Sequence, residues 1–252
     1  MVLAAAREDR PTVAVILMFL AVFLFTLIDS SAKWLILYGL PAVQVIFARY
    51  CGAFLVSILF FIPRGGLNQF VSNNPKLQFS RAIALLGGTT FNFLALQFLP
   101  ITTTIAIFFA MPLVITVLGY FILGEKVGFR RFAAIFVGFL GVLIIIQPWG
   151  EEFHWAMILS VAALFFASSY FILTRLLAGQ DNNATSQLWS SGVATFAIAP
   201  FALQNWYWPQ TNMGFCVLVI IGVFGAFSHI LATRAHLLAN ASTLAPTMYA
   251  QV

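Results

Sequence analysis

Stretches of about 20 consecutive apolar residues, the length that carries a helix across a bilayer, recur along this chain with only short polar breaks between them. Eight complete ones run approximately from Val13 to Tyr38, Ala42 to Ile62, Ala82 to Leu99, Thr102 to Leu123, Phe132 to Gln147, Trp155 to Ala178, Thr185 to Leu203 and Gly214 to Leu238, and a ninth begins near Ser242 and runs to Val252. A soluble domain of this size needs a charged shell, yet 62% of the 252 residues are hydrophobic and 8% are charged, against about 25% charged in an average domain. The apolar exterior must therefore face hydrocarbon. The runs lack the period-2 alternation of an outer-membrane barrel, and lipid leaves no water for open backbone groups, so helices are what remains. The expected fold class is an all-α integral membrane protein.

Charge sets the topology. The formal charge is +5, but the cations stand singly at helix ends instead of forming the patch that nucleic acid requires. Arg7 and Arg10 precede helix 1, Arg64, Lys76 and Arg81 fall between helices 2 and 3, Lys126, Arg130 and Arg131 between 4 and 5, and Arg175 after 6. The alternate breaks hold no Lys or Arg, and Glu151 and Glu152 make one of them acidic. The positive-inside rule then places the amino terminus in the cytoplasm, with a bacterial inner membrane as the expected location. Cys51 and Cys216 lie in apolar runs without metal-type spacing, so no disulfide framework and no metal is expected, and no cofactor is indicated.

An internal repeat is the next signal. An offset of 139 residues lays helices 6 to 9 over helices 1 to 4, matching Met18 with Met157, Ser30 with Ser169, Leu99 with Leu238 and Thr104 with Thr243. Five helices per unit is an odd number, so the second copy enters from the opposite face, which makes an inverted repeat of five-helix units. The expected units are residues 11–148 and 153–252. Ten helices are expected and about eight and a part are present, so the second unit reads as incomplete, truncated in the ninth helix.

Charges inside the bilayer are costly unless paired or hydrated. Asp29 and Lys33 share one face of helix 1 at i, i+4, and Arg49 lies about eight residues into helix 2, so all three fall within roughly 8 to 14 Å of the outer boundary. Two readings stand: a substrate site, or a helix-pairing role in which Lys33 snorkels and Asp29 neutralises Arg49. Asp29 is also the candidate proton-coupling carboxylate. Polar stripes follow in helix 3 (Thr89, Asn92, Gln97), helix 6 (Ser168, Ser169, Tyr170) and helix 8 (Ser228, His229, Thr233, His236). Such stripes face hydrated cavities or serve interhelical hydrogen bonds. Pro112 and Pro246 remove backbone donors in mid-membrane and mark either gating points or static bends.

Several features resemble a known family. They are the Leu99-Pro100 turn, Pro112, the Leu123-Gly124-Glu125-Lys126 exit and the Arg130-Arg131 to Gly138-Phe139-Leu140-Gly141 run. Together they look like the first EamA domain of the drug/metabolite transporter superfamily. Lys33-Trp34 followed by Pro41, Gln44, Phe47, Arg49 and Tyr50 resembles its S-adenosylmethionine and riboflavin carrier branch. The resemblance implies a central cavity lined by helices 1, 3, 4, 6, 8 and 9. It would put Asp29, Lys33, Asn92, Phe108, Ser168, Tyr170, His229 and Tyr249 on or near the pathway, with Arg49 on a flanking helix.

The expected function is a secondary transporter, not an enzyme, that moves a small organic metabolite by alternating access. Its substrate is expected to be amino-acid-like, nucleoside-like or vitamin-like and to carry an anionic group, because the Asp29, Lys33 and Arg49 cluster nets one positive charge. The lipid bilayer and the substrate are the expected partners, with proton coupling and a homodimer left open and no nucleic acid. An intramembrane enzyme finds no H-E-x-x-H or G-x-S-x-G here. A non-transporting assembly subunit would need no wet cavity.

Overall fold

The structure is a computed structural model that describes residues 10–124, 153–204 and 206–251, with isolated positions 133, 137, 140, 141 and 144. Among the described residues there is no strand, and nine α-helices follow one another. They are α1 (Pro11–Leu37), α2 (Ala42–Gly65), α3 (Pro75–Phe98), α4 (Ile101–Phe108), α5 (Met111–Leu123), α6 (Ala156–Leu177), α7 (Asn183–Ala202), α8 (Asn212–Leu238) and α9 (Ala241–Leu244). Turns of 3₁₀ helix cover Leu67–Phe70 and Ala245–Gln251. The fold is all-α, and six helical spans are long and apolar enough to cross a membrane, α4 and α5 counting together as one. Helix α7 is not among them. It is helical over 20 residues, but its buried face carries Ser186, Gln187, Ser190, Ser191 and Thr195.

Most helix ends fall within about two residues of where the apolar runs end, since bilayer thickness and apolar length are matched. One start does not. The third helix begins at Pro75, not Ala82, because Asn74 caps it by accepting from the Leu77 N–H and Pro75 fills the first turn. Arg81 therefore lies inside the helix instead of in a loop. The fourth span breaks at Phe109 and Ala110, and Pro112 occupies the first turn of α5. Gly124, at φ +66°, ends α5 in the left-handed conformation that glycine adopts without a Cβ penalty. The expected fifth span, Phe132 to Gln147, with Gly138, lies outside the described residues apart from the isolated positions. The ninth run starts at Ala241 and passes into the 3₁₀ turn after one turn of α-helix.

Helix α1 packs chiefly against α8 and α3 chiefly against α6, while α2 lies against both α7 and α8. Where α2 meets α8 the backbones touch: a Cβ on Gly222 would come within 2.6 Å of the Gly52 Cα. Such a close approach of small residues is a usual way for helices to associate in lipid. Outward faces carry large apolar side chains such as Phe23, Leu59, Phe121 and Val219, an exterior suited to acyl chains.

Candidate functional site

Between α1, α2, α3, α6 and α8 the polar residues converge. Asp29 of α1 accepts from the Asn92 Nδ2 of α3 at 3.0 Å. Asn92 is buried, and its Oδ1 has no hydrogen-bond partner, an arrangement costly in a dry interior. Arg49, 4% exposed, donates through Nη1 to Thr89 Oγ1 at 2.7 Å and through Nη2 to His229 Nε2 at 2.9 Å. Its Nε is buried without a partner. A guanidinium has only donors, so His229 Nε2 must accept. The neutral ring then carries its proton on Nδ1 and donates to the Tyr170 hydroxyl, 2.9 Å away. This tautomer is assigned from the bonding pattern.

The chain of bonds extends at both ends. Thr89 shares a 2.7 Å bond with the Tyr50 hydroxyl, which donates to the Leu85 carbonyl. At the other end Tyr170 accepts from Arg81 Nη2 at 2.9 Å. Arg81 is fully buried and makes five hydrogen bonds, reaching Thr174 and Tyr170 of α6, Ser186 and Ser190 of α7 and Thr233 of α8. One relay thus links α2, α3, α6, α7 and α8. In lipid, satisfying every donor is what makes a buried guanidinium tolerable.

Against this relay lies a cavity of about 100 Å³, lined by Asp29, Arg49, Thr89, Asn92, Tyr170 and His229 on its polar side. Phe25, Phe93, Phe108, Phe171, Met111 and Met248 stand on its apolar side. Phe25 stands 5.0 Å from the His229 ring and 6.5 Å, edge to face, from Phe171. Phe108 and Met111 flank the break between α4 and α5, and Met248 lies in the 3₁₀ turn after α9, so two interruptions of regular helix border one space. Broken helices at a central cavity are a recurring design of secondary transporters.

The structure brings Asp29, Arg49, Asn92, Phe108, Tyr170 and His229 together on this wall. Arg49 lies on the wall itself, not merely on a flanking helix. Lys33, Ser168 and Tyr249 are elsewhere. Lys33 Nζ donates to the Leu96 and Leu99 carbonyls at 2.7 and 2.9 Å, tying α1 to the end of α3. Ser168 Oγ donates to the Leu164 carbonyl of its own helix, and the half-exposed Tyr249 ring packs on Phe109. Buried Pro112 is in α5, and exposed Pro246 is in the terminal 3₁₀ turn. Sequence reasoning passed over Arg81 as a loop cation. The Asn74-Pro75 helix start would have placed it in the membrane.

An all-helical membrane bundle with a polar-and-aromatic cavity at broken helices is an architecture of membrane transporters. The profile of the EamA-like transporter family matches residues 12–147, more than half the chain, and the protein belongs to that family. It is 29% identical over 255 residues to a riboflavin transporter of Vibrio cholerae, covering 97% of this chain and 83% of that protein. It is 28% identical over 235 residues to an S-adenosylmethionine uptake transporter of Rickettsia bellii, covering 91% and 80%. A pseudopaline exporter of Pseudomonas aeruginosa is 22% identical, with 93% and 82% covered. A solved crystal structure shares the fold at TM-score 0.70 and 16% identity, over 95% of this chain and 85% of that one.

Proposed function

We propose that this protein carries a small metabolite with a planar aromatic or heteroaromatic body and a polar tail, by alternating access of two inverted units at residues 11–148 and 153–252. The observation that carries the reading is the cavity wall, where Arg49, Asp29, Asn92 and His229 face a set of phenylalanines. Rings stack well in such a box. Riboflavin and S-adenosylmethionine, named in the relatives, both join a nitrogen heterocycle to a hydroxylated polar part. The unpartnered Arg49 Nε and Asn92 Oδ1 supply one donor and one acceptor to complement it.

With Lys33 turned to backbone carbonyls, the wall holds one carboxylate and one guanidinium. The fit is to a substrate whose anionic or carbonyl group meets Arg49 while a donor meets Asn92 and Asp29. Asp29, half-buried beside Asn92, is the carboxylate placed to couple a proton. Ligand cavities usually enclose about 300 to 1,000 Å³, so this one must widen to load, which supports a moving carrier. The exchange of contacts, α1 with α8 and α3 with α6, suits two related units rocking on each other. The alternating Lys and Arg content of the breaks supports a cytoplasmic amino terminus, and the bacterial relatives support an inner-membrane site. A homodimer fits equally with the apolar outer faces.

In proteoliposomes, a metabolite panel including riboflavin and S-adenosylmethionine is expected to contain a transported compound, and Arg49→Ala should cut its kcat/KM by about tenfold or more, the effect of one hydrogen bond to a charged group. Unchanged kinetics in both Arg49→Ala and Asn92→Ala would retire the site.

A further inference from the structure

A second cavity, of about 220 Å³, opens beside the 178–182 loop. Its wall mixes polar groups, Thr174 of α6, Asp181 and Asn182 of the loop, Ser186 of α7, and Thr233 and Arg234 of α8, with apolar ones, Leu177, Ala178 and Leu237. It carries both charge signs, hydroxyls and two amides, Asn182 and Asn183, a lining that can take a hydrated polar solute.

Arg81 lines neither cavity but lies behind both walls and bonds to each. A single nitrogen, Nη2, donates to Tyr170 on the central wall at 2.9 Å and to Thr233 on the second wall at 3.0 Å. The Nε bonds Thr174 at 2.8 Å and Nη1 bonds the Ser186 carbonyl at 2.9 Å, both on the second wall. Along this line the partition is Tyr170, the guanidinium and the Thr174, Ser186 and Thr233 groups bonded to it, and what holds it is directional hydrogen bonding to three helices together with the stacking of the guanidinium over the Tyr170 ring, 4.7 Å from its centroid. Bonds of that kind can be exchanged for bonds to an arriving solute, whereas a packed core cannot part locally without opening a void.

We propose that the second cavity is the vestibule of the transport path on the face of the 178–182 loop, and that Arg81 is the gate separating it from the substrate cavity. What passes rests on the transport reading above; the gate itself rests only on the two cavities and the side chain bonded to both walls. A solute with a carboxylate, phosphate or carbonyl oxygen reaching Tyr170 competes for the Nη2 donor. Once that bond is exchanged, the guanidinium follows the acceptor toward Thr233 and Ser186, and the two spaces join. The gate thereby favours substrates bearing an acceptor oxygen over purely apolar ones, through a residue outside the central wall.

The test needs no substrate. In a background with Cys51 and Cys216 changed to Ser, a reporter cysteine is placed in each cavity, Ala167→Cys in the central one and Ala178→Cys in the vestibule. An impermeant charged methanethiosulfonate is applied separately to each face of sealed vesicles. Ala178→Cys should react readily from the face carrying the 178–182 loop, and Ala167→Cys slowly from that face. Arg81→Ala should speed Ala167→Cys modification from that face by roughly tenfold, as expected when charged hydrogen bonds holding one state are lost. Should Arg81→Ala fail to fold, Thr174→Val with Thr233→Val removes two of the five bonds at nearly constant volume and should give a smaller acceleration in the same direction. The proposal is overturned if Ala178→Cys is unreactive from that face. It is also overturned if Ala167→Cys already matches it with Arg81 in place, or if the folded variants leave the Ala167→Cys rate unchanged. Loss of transport of every panel compound would remove the substrate reading and leave these rates standing.

Discussion

The two ends of the bundle are fastened by different means. At the end that carries the 178–182 loop, hydrogen bonds join the first part of the chain to the second. Asp181 accepts from Ser72 Oγ, the Asn73 N–H and Gln78 Nε2 at 2.5, 2.8 and 2.9 Å. Asn182 donates to Gln69, Trp189 donates to the Phe70 carbonyl, and Arg81 makes its five bonds a turn or two deeper. At the opposite end, among the described residues, the side-chain bonds between the two parts are those of Gln44 with the Tyr207 backbone, at 2.6 and 3.0 Å. The rest is aromatic: Phe98 against Trp155 at 4.9 Å and Phe47 edge-on to Trp206 at 6.0 Å. Rings can slide without losing a directional bond, whereas a carboxylate with three donors gives all of them up when its partners part. The loop end is therefore the more firmly fastened of the two, and under the alternating-access reading proposed above that difference is a bias between two conformations.

The largest effect is expected midway, where neither end is touched. Gly222→Ala puts a methyl 2.6 Å from the Gly52 Cα, a backbone atom with nothing flexible to move aside. Overpacking usually costs about 1–3 kcal/mol and occasionally more, and with only backbone to give way this contact stands at or above the upper end, read as a lowered thermal midpoint in detergent. A variant as stable as the parent would mean that the α2–α8 contact is looser than drawn and that the ends do not turn about it. Next comes Asp181→Ala, which removes the acceptor of three bonds. The closed state should lose about 1.5–3 kcal/mol, the range for hydrogen bonds to a charged group. Spin labels at Lys76→Cys on α3 and Arg234→Cys on α8, both exposed, should move apart on average. An unaltered distance distribution would show that the loop end is shut by packing and not by this carboxylate.

The fold was legible where one physical length governs it. Helices α1, α6 and α8 end where the apolar runs end, because leaving the bilayer and leaving the helix are the same event. Arg81 was misread because charge was weighed before capping: Lys76, Gln78 and Arg81 look like a loop until Asn74 and Pro75 are recognised as a helix start. Its partners Thr174, Ser186 and Thr233 sit roughly 90 to 150 positions away, beyond any local pattern. Lys33 shows the converse. Its i, i+4 spacing from Asp29 was real, but a four-carbon stem lets the ammonium reach past that face to the carbonyls ending α3. Asn92 and His229 were findable because strongly polar groups in an apolar run have few reasons to be there other than a cavity or a buried network, and here they serve both.

Gln44→Ala has the smallest direct effect and is the sharpest way to separate a carrier from a static bundle. It removes two neutral hydrogen bonds to the backbone of the exposed Tyr207, where water can replace the lost partner, so the cost lies near the low end of about 0.5–1.5 kcal/mol each. Helix α2 has 24 residues, roughly 36 Å at 1.5 Å per residue, so Gln44 sits far from Asp181, and independent sites would simply add. Rocking units make a different demand: the Gln44 bonds are made in the state in which the loop end is shut, so removing them costs that state as well. The double variant Gln44→Ala with Asp181→Ala should then show a Lys76–Arg234 label separation further from the parent than Asp181→Ala alone. A separation identical to that of Asp181→Ala would mean that the two ends open without regard to each other, and the alternating mechanism would have to be abandoned even if transport itself were observed.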